Sequence, residues 1–253
     1  MTDADLAVDL PAGATAPRMR DHRFFFWMSV AVLGVVVTGF ARSFFLRPWF
    51  PEWPSPQEPI FMAHGFVYTA WFLLLPVQSA LIGSGRVGVH RALGVFGVLL
   101  AAAVVVLGLT GAVIAARRPG GFIGLPIPGD HFLIIPTFEM LIFAVLVCCA
   151  VAKRGRPQVH KRLMLLASIS LLTAAFARWP GVIGSGVLVY FLLNDLMLVP
   201  LVIWDRRRLG HVHAATWWAG GIPVLLQPVQ LALSGTPFWL GIAHWMTGLG
   251  QGH

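Results

Sequence analysis

Three histidines stand at the starts of three long apolar runs: His90, His160 and His213, each directly after a valine. Neutral imidazoles from separate helices can ligate a transition metal, and two that face each other can hold a haem iron. If the helices that begin there pack side by side, the three side chains converge at one depth and form a metal or haem site. The alternative is that each histidine caps its helix or contacts lipid phosphate beside a neighbouring Arg or Lys.

A second set of polar residues lies within the apolar runs themselves. An ionisable group inside a membrane span is costly unless it is paired, so such a group faces the interior of the helix bundle. We therefore predict an intramembrane polar pocket, open toward the outer face, that binds a small ligand, a proton or a metal. Its expected residues are His64, Glu139, Arg178, Asn194, Asp195 and Gln227. Glu139 and Arg178 lie at similar depth, so we expect them to pair; a purely structural network of this kind is the alternative.

The composition requires a membrane around these residues. Hydrophobic residues make up 57% of the 253 and charged residues only 11%, whereas a soluble domain has about a quarter charged residues. Runs without Asp, Glu, Lys or Arg cover residues 24–41, 59–85, 92–116 and 163–177 and everything after Arg208. About 20 apolar residues cross a bilayer. The net charge of +8 does not indicate a nucleic-acid partner, because the basic residues occupy short loops between apolar runs.

The pattern predicts an all-α, polytopic membrane protein with seven transmembrane helices, arranged as one helix plus three hairpins. The expected helices cover residues 24–46, 60–82, 90–115, 131–152, 161–179, 182–204 and 214–233. Residues 1–23 are expected to form a disordered cytoplasmic tail, 24–234 the transmembrane domain, and 235–253 an interfacial segment. Pro76, Pro136 and Pro200 fall within the second, fourth and sixth helices, where kinks often border a cavity.

The basic residues predict the orientation. With seven spans, thirteen of the 18 lysines and arginines fall on one side of the membrane and five on the other. The positive-inside rule places the richer side in the cytoplasm. The N-terminus is then cytoplasmic and the C-terminus outside, and the expected location is the inner membrane of a bacterial cell.

Several motifs together resemble a known group of sequences. They are His64-x6-Trp71, Leu-Leu-x2-Gln78, Gly85-Arg-x3-His90-Arg-x-Leu-Gly94, His160-Lys-Arg-Leu-Met-Leu-Leu-Ala with Arg178, and Leu233-Ser-Gly-Thr236 with Trp239. From about residue 60 onward the chain resembles a group of uncharacterised bacterial multi-pass membrane proteins. That resemblance implies the fold and the choice of residues, and it implies no reaction. The chain departs from the seven-helix zinc proteins of the haemolysin III and adiponectin-receptor group, because its last helix lacks a His-x3-His pair.

Three classes of function follow from these residues. The first is an integral membrane protein that binds a small molecule, proton or metal in the polar pocket, with protonation of His64, Glu139 or Asp195 as a switch. The second is a haem- or metal-binding protein that serves redox chemistry or oxidase assembly. The third is a membrane scaffold without chemistry. The sequence contains no phosphate-binding glycine loop and no Ser-His-Asp arrangement, so it leaves open whether the protein is an enzyme.

Overall fold

All regular elements within residues 15–56 and 58–248, the part that this computed structural model describes, are helical. The α-helices are α1 (Thr15–Phe40), α2 (Pro59–Gly83), α3 (Val87–Ala116), α4 (Gly129–Phe132), α5 (Ile134–Ala152), α6 (Pro157–Ile169), α7 (Thr173–Phe176), α8 (Val187–Leu196), α9 (Val199–Leu209), α10 (Ala214–Leu233) and α11 (Pro237–Gly248). A π-helical turn, Ala41–Phe45, extends α1.

Six stretches are long and apolar enough to cross a membrane. They are Arg20–Phe45, Pro59–Gly83, Val87–Ala116, Gly129–Ala152, Pro157–Phe176 and Val187–Leu209. The seventh predicted helix, α10, has 20 residues and no charged side chain, but its glutamines and prolines make it less apolar than those six. The chain is therefore an all-α, polytopic membrane protein, as predicted. Its outward faces agree with this, because Phe66, Leu99, Leu188 and Leu225 are 64–71% exposed and lipid can solvate them.

The most enclosed helix is α6, which α1, α2, α5 and α10 contact. Leu165, Leu166 and Ile169 on this helix are buried at 2% exposure or less. Two of the three predicted hairpins, α2–α3 and α5–α6, pack closely. Polar side chains link the third, since Gln227 on α10 donates to Asp195 on α8.

A buried ion pair joins α6 to α9 at one end of the bundle. Arg162 and Asp205 are 1% and 0% exposed, and Arg162 Nε donates to Asp205 Oδ1 at 3.1 Å. The second carboxylate oxygen accepts from the Thr216 hydroxyl at 2.6 Å and from the His213 backbone N–H at 3.2 Å. The start of α10 is thereby tied to the same carboxylate.

The first helix begins at Thr15, earlier than the predicted residue 24. Asp21 explains part of this extension, because its carboxylate pairs with Lys161 and accepts from the Trp204 ring N–H at 3.1 Å. These contacts hold the extra turns of α1 against α6 and α9. Residues 1–14 of the predicted disordered tail lie outside the described residues.

Two predicted helices are broken. The fifth divides into α6 and α7 around residues 170–172, and the sixth divides into α8 and α9 around residues 197–198. The expected kinks change accordingly: Pro76 lies inside α2, whereas Pro136 and Pro200 lie in the first turns of α5 and α9. A first turn has no need of the N–H that proline lacks.

The C-terminal segment, predicted to lie along the interface, contains a further helix, which the sequence left open. Helix α11 has 12 residues and packs against α4 and α3. Its Trp239 is 4% exposed and donates through its ring N–H to the Asp130 carbonyl at 2.9 Å. Twelve residues are too few to cross a bilayer. Residues 249–253 lie outside the described part of the chain.

Candidate functional site

A cavity of about 390 Å³ lies between the bundle helices at the end opposite the Arg162–Asp205 pair. The π-helical turn after α1, helices α2, α3 and α5, and the segment after α6 supply its walls. Most of the lining is apolar, and it includes seven phenylalanines: Phe40, Phe44, Phe45, Phe61, Phe72, Phe122 and Phe132. A few polar side chains interrupt this lining, which is the usual composition of a small-molecule site.

Three of the six residues predicted for the pocket line this cavity: His64 on α2, Glu139 on α5 and Arg178 after α7. The His64 ring stacks on Tyr68 with centroids 3.9 Å apart. The Tyr68 hydroxyl donates to the Val104 carbonyl at 3.2 Å. An ordered wall of α2 and α3 therefore holds the imidazole at the cavity.

Arg178 presents a guanidinium to the cavity without a carboxylate partner. Its Nη1 donates to the Ala174 carbonyl at 2.7 Å, and its Cζ lies 4.9 Å from the centroid of the Phe40 ring. Among the described residues no Asp or Glu forms an ion pair with it. The expected pairing with Glu139 is therefore wrong. The break before α7 puts Arg178 beyond the helix end, where it bonds back to its own turn.

Glu139 on α5 also lines the cavity, and one of its carboxylate oxygens has no hydrogen-bond partner among the described residues. That oxygen, Oε1, is buried. The Thr173 side chain is beside the carboxyl group, and Met140 next to it on α5 also lines the cavity. A buried acceptor without a donor is uncommon in folded proteins and requires an explanation.

The cavity lining also contains an ion pair that the sequence analysis did not predict. Arg118, after α3, binds both carboxylate oxygens of Glu58, before α2, at 2.8–2.9 Å through Nη2. The guanidinium also lies 4.7 Å from the Phe61 ring centroid. The sequence could have predicted this pair, because α2 and α3 form a hairpin and the start of α2 therefore lies beside the end of α3.

The other predicted pocket residues lie elsewhere. Asp195 Oδ1 accepts from Gln227 at 2.8 Å between α8 and α10. Asn194 is 8% exposed, and its Oδ1 has no partner. Both Asn194 and Asp195 border a second cavity of only about 10 Å³, which is too small for a ligand beyond one water. The expectation that Asp195 shares the pocket of Glu139 is wrong, because α8 turns this face toward α6 and α10.

The three histidines predicted for a metal occupy two different environments. The rings of His90 and His160 lie 6.4 Å apart between centroids. His213 instead caps α10, where its Nδ1 accepts from the Ala215 N–H at 3.0 Å. Burial, and next the charge of Arg162, lower the pKa of His213, in keeping with a neutral ring that accepts. No cluster of three metal-ligating side chains occurs within the described ranges.

No protein-family model, no curated protein and no solved structure matches this chain.

Proposed function

We propose that this integral membrane protein binds a small amphipathic molecule in the 390 Å³ cavity. The observation that carries the proposal is the combination of a largely aromatic and apolar lining with a few polar side chains, His64, Glu139 and Arg178. Known small-molecule sites are clefts of about 300–1,000 Å³ with this composition. A chain of about ten carbons with a polar end fits such a volume. The proposed location is the inner membrane of a bacterial cell, with the cavity toward the outer face.

Site-resolved photolabelling tests this proposal. The probe is decanol with a diazirine on its chain, added to the protein in lipid nanodiscs, and mass spectrometry identifies the labelled peptides. We expect labelling of the cavity faces of α2, α3 and α5, and we expect excess decanol to suppress it. Uniform labelling of lipid-facing surfaces that decanol does not suppress would contradict the proposal.

A matched pair of variants places the probe inside the cavity. Ala174 lines the cavity and is exposed, so Ala174→Phe fills space without displacing packed atoms. Ala102 is exposed on α3 outside the cavity lining, and Ala102→Phe adds the same ring there. We expect Ala174→Phe to lower the specific labelling about tenfold, a difference of about 1.4 kcal/mol in binding, and Ala102→Phe to leave it unchanged.

Binding of a transition metal or haem by His90 and His160 is the second candidate. His160 Nδ1 lies 2.8 Å from the Ala150 carbonyl, so it donates there and leaves Nε2 free, as metal-ligating histidines commonly do. Gln78 opposes this function. In the amide orientation that satisfies its neighbours, its nitrogen donates to His90 Nδ1 at 2.6 Å. His90 Nδ1 then accepts this hydrogen bond, and the ring proton is on Nε2. His90 Nε2 can bind a metal only after it loses that proton, which requires the Gln78 amide to turn so that its oxygen accepts from Nδ1. Metal analysis and an absorbance spectrum of the purified protein separate the two candidates.

A further inference from the structure

We propose that the ligand of this cavity carries one negative charge, that Arg178 binds that charge, and that binding is coupled to protonation of Glu139. This inference rests on the proposed ligand-binding function and specifies its substrate class. The shared chemistry is an anionic head on an apolar chain, as in a fatty acid or a lipid phosphate.

Arg178 is the residue that binds the negative charge of the ligand. A guanidinium has five N–H donors, and the Ala174 carbonyl accepts from one of its nitrogens. The Phe40 ring compensates part of the positive charge by a cation–π contact. An arginine in a membrane protein without an anionic partner is costly. A carboxylate, sulfonate or phosphate entering the cavity would accept from the remaining donors and remove that cost.

The other charges around the cavity favour an anion as well. Three arginines line it, Arg47, Arg118 and Arg178, against two glutamates, Glu58 and Glu139. The formal excess is one positive charge when both glutamates are ionised and two when one is protonated. Arg118 and Glu58 form an ion pair and neutralise each other. The excess therefore attracts anions and disfavours amphipathic cations.

Glu139 is the group that must respond to such a ligand. Its carboxyl lines the same cavity as Arg178, and an ionised carboxylate repels a second anion strongly where water is scarce. Protonation removes this repulsion and gives the group an O–H donor. The other titratable groups on the walls are His64 on α2, Tyr68 below it, and Tyr190 on α8. Of these, His64 is the alternative proton acceptor, so the test includes it.

Competition against the decanol photoprobe tests the charge of the ligand. The competitors are decanesulfonate, which stays anionic at every pH used, decanol, and decyltrimethylammonium. We expect decanesulfonate to compete about tenfold more strongly than decanol and the cation to compete least. Equal competition by decanol and decanesulfonate would overturn this inference, while suppression of labelling by decanol would leave the proposed function intact.

Arginine variants test the binding residue. Arg178→Gln should abolish the preference for decanesulfonate over decanol, and Arg178→Lys should retain part of it, because an ammonium keeps the charge but loses the planar donor set. Gel filtration and thermal unfolding check that both variants are folded. A folded Arg178→Gln protein that still prefers the sulfonate would show that another group binds the anion. If Arg178→Gln does not fold, the assignment is tested by whether Arg178→Lys prefers decanesulfonate over decanol less strongly than the wild type does.

A pH series tests the coupling. Competition by decanesulfonate should weaken as the pH rises in the wild type, because an ionised Glu139 repels the anion. Glu139→Gln should keep the low-pH affinity throughout, and His64→Gln should keep the wild-type pH dependence. The same pH dependence in Glu139→Gln, or its loss in His64→Gln, would overturn the assignment to Glu139.

The source of the anion is distinguished by the lipid. Nanodiscs of phosphatidylcholine alone present no anionic headgroup, whereas nanodiscs with added phosphatidylglycerol do. If phosphatidylglycerol weakens competition by decanesulfonate, the site accepts a lipid phosphate. If it has no effect while free decanoate competes, the site takes a single-chain acid.

Discussion

At the scale of single residues, two arginines in this chain have opposite surroundings. Arg162 is 1% exposed and lies against the Asp205 carboxylate. Arg178 faces the cavity, and within the described structure it forms no ion pair with Asp or Glu. Removing one partner of a buried pair strands a charge, so the first arginine stabilises the fold only with its aspartate. The second arginine has a donor set available for a ligand.

The Arg162–Asp205 pair gives a prediction about stability. Asp205→Asn should destabilise the protein by about 3–5 kcal/mol, because the amide leaves a buried guanidinium uncompensated. The matched control is Asp130→Asn, which removes a carboxylate that pairs with a largely exposed His244; there we expect at most about 1 kcal/mol. Thermal unfolding in one detergent measures both. Equal midpoints for the two variants would contradict a stabilising role for the buried pair.

Sequence reasoning found part of the cavity at this scale. His64, Glu139 and Arg178 stand out as polar residues in apolar runs, and all three line it. Asp195 has the same sequence signature but faces Gln227. Hydropathy predicts how deep a residue lies along its helix, but not the direction in which its side chain points. The break in the sixth helix sets that direction for Asp195.

At the scale of elements, the start of α10 depends on a histidine cap. His213 Nδ1 accepts from the Ala215 N–H, and only the unprotonated nitrogen can do so. Removing a cap costs about 1 kcal/mol. His213→Ala should lower the free energy of unfolding by about this amount. His213→Asn should leave it unchanged, because asparagine is a strong N-cap.

The same cap gives a pH dependence with a defined sign. The pKa of His213 in the folded protein is lowered, so the unfolded chain takes up the proton first as the pH falls. The stabilisation is complete above about pH 6.5, the ordinary histidine value, and is lost as the pH falls below it. The unfolding midpoint of the wild type should therefore drop more on acidification than that of His213→Asn. An identical drop in the two proteins would contradict this role.

Packing of α3 against α2 and α5 requires a glycine. A methyl group at Gly108 would overlap the Met140 sulfur and the Tyr68 hydroxyl, whereas one at Gly88, in the same helix, would meet nothing within 4 Å. Gly108→Ala should cost about 1–3 kcal/mol through overpacking. Gly88→Ala should be neutral or stabilising by up to about 1 kcal/mol through helix propensity. Thermal unfolding compares the two, and a Gly108→Ala variant as stable as Gly88→Ala would contradict close packing here.

The helix breaks were beyond prediction for a physical reason. Residues 170–172 are Ser-Leu-Leu and residues 197–198 are Met-Leu, which suit a continuous apolar helix as well as an interruption. Tertiary packing decides between them, and Leu171 and Leu172 are 6% and 0% exposed. The apolar runs predicted that membrane helices exist, because length and hydropathy suffice for that.

At the scale of the whole molecule, side-chain contacts divide the basic residues between two ends of the bundle. Lys161 pairs with Asp21 and Arg162 with Asp205 at one end, and the His90–His160 contact places the start of α3 there too. Arg118 pairs with Glu58 at the other end, where Arg117 bonds the Thr247 carbonyl. The ends therefore match the two sides that the sequence analysis assigned.

This division predicts the orientation in the membrane. By the sequence, thirteen of the 18 basic residues fall on the side that carries Asp21 and Lys161, so that side should face the cytoplasm. If α10 is the seventh span, as the sequence predicts, the described end of α11 should lie outside, because its 12 residues cannot cross back. A reporter active only outside the cytoplasm should work when fused after residue 253 and fail when inserted in the 153–156 loop, which carries three basic residues. Activity only of a cytoplasmic reporter at the C-terminus would reverse the assignment, and the cavity would then open toward the cytoplasm.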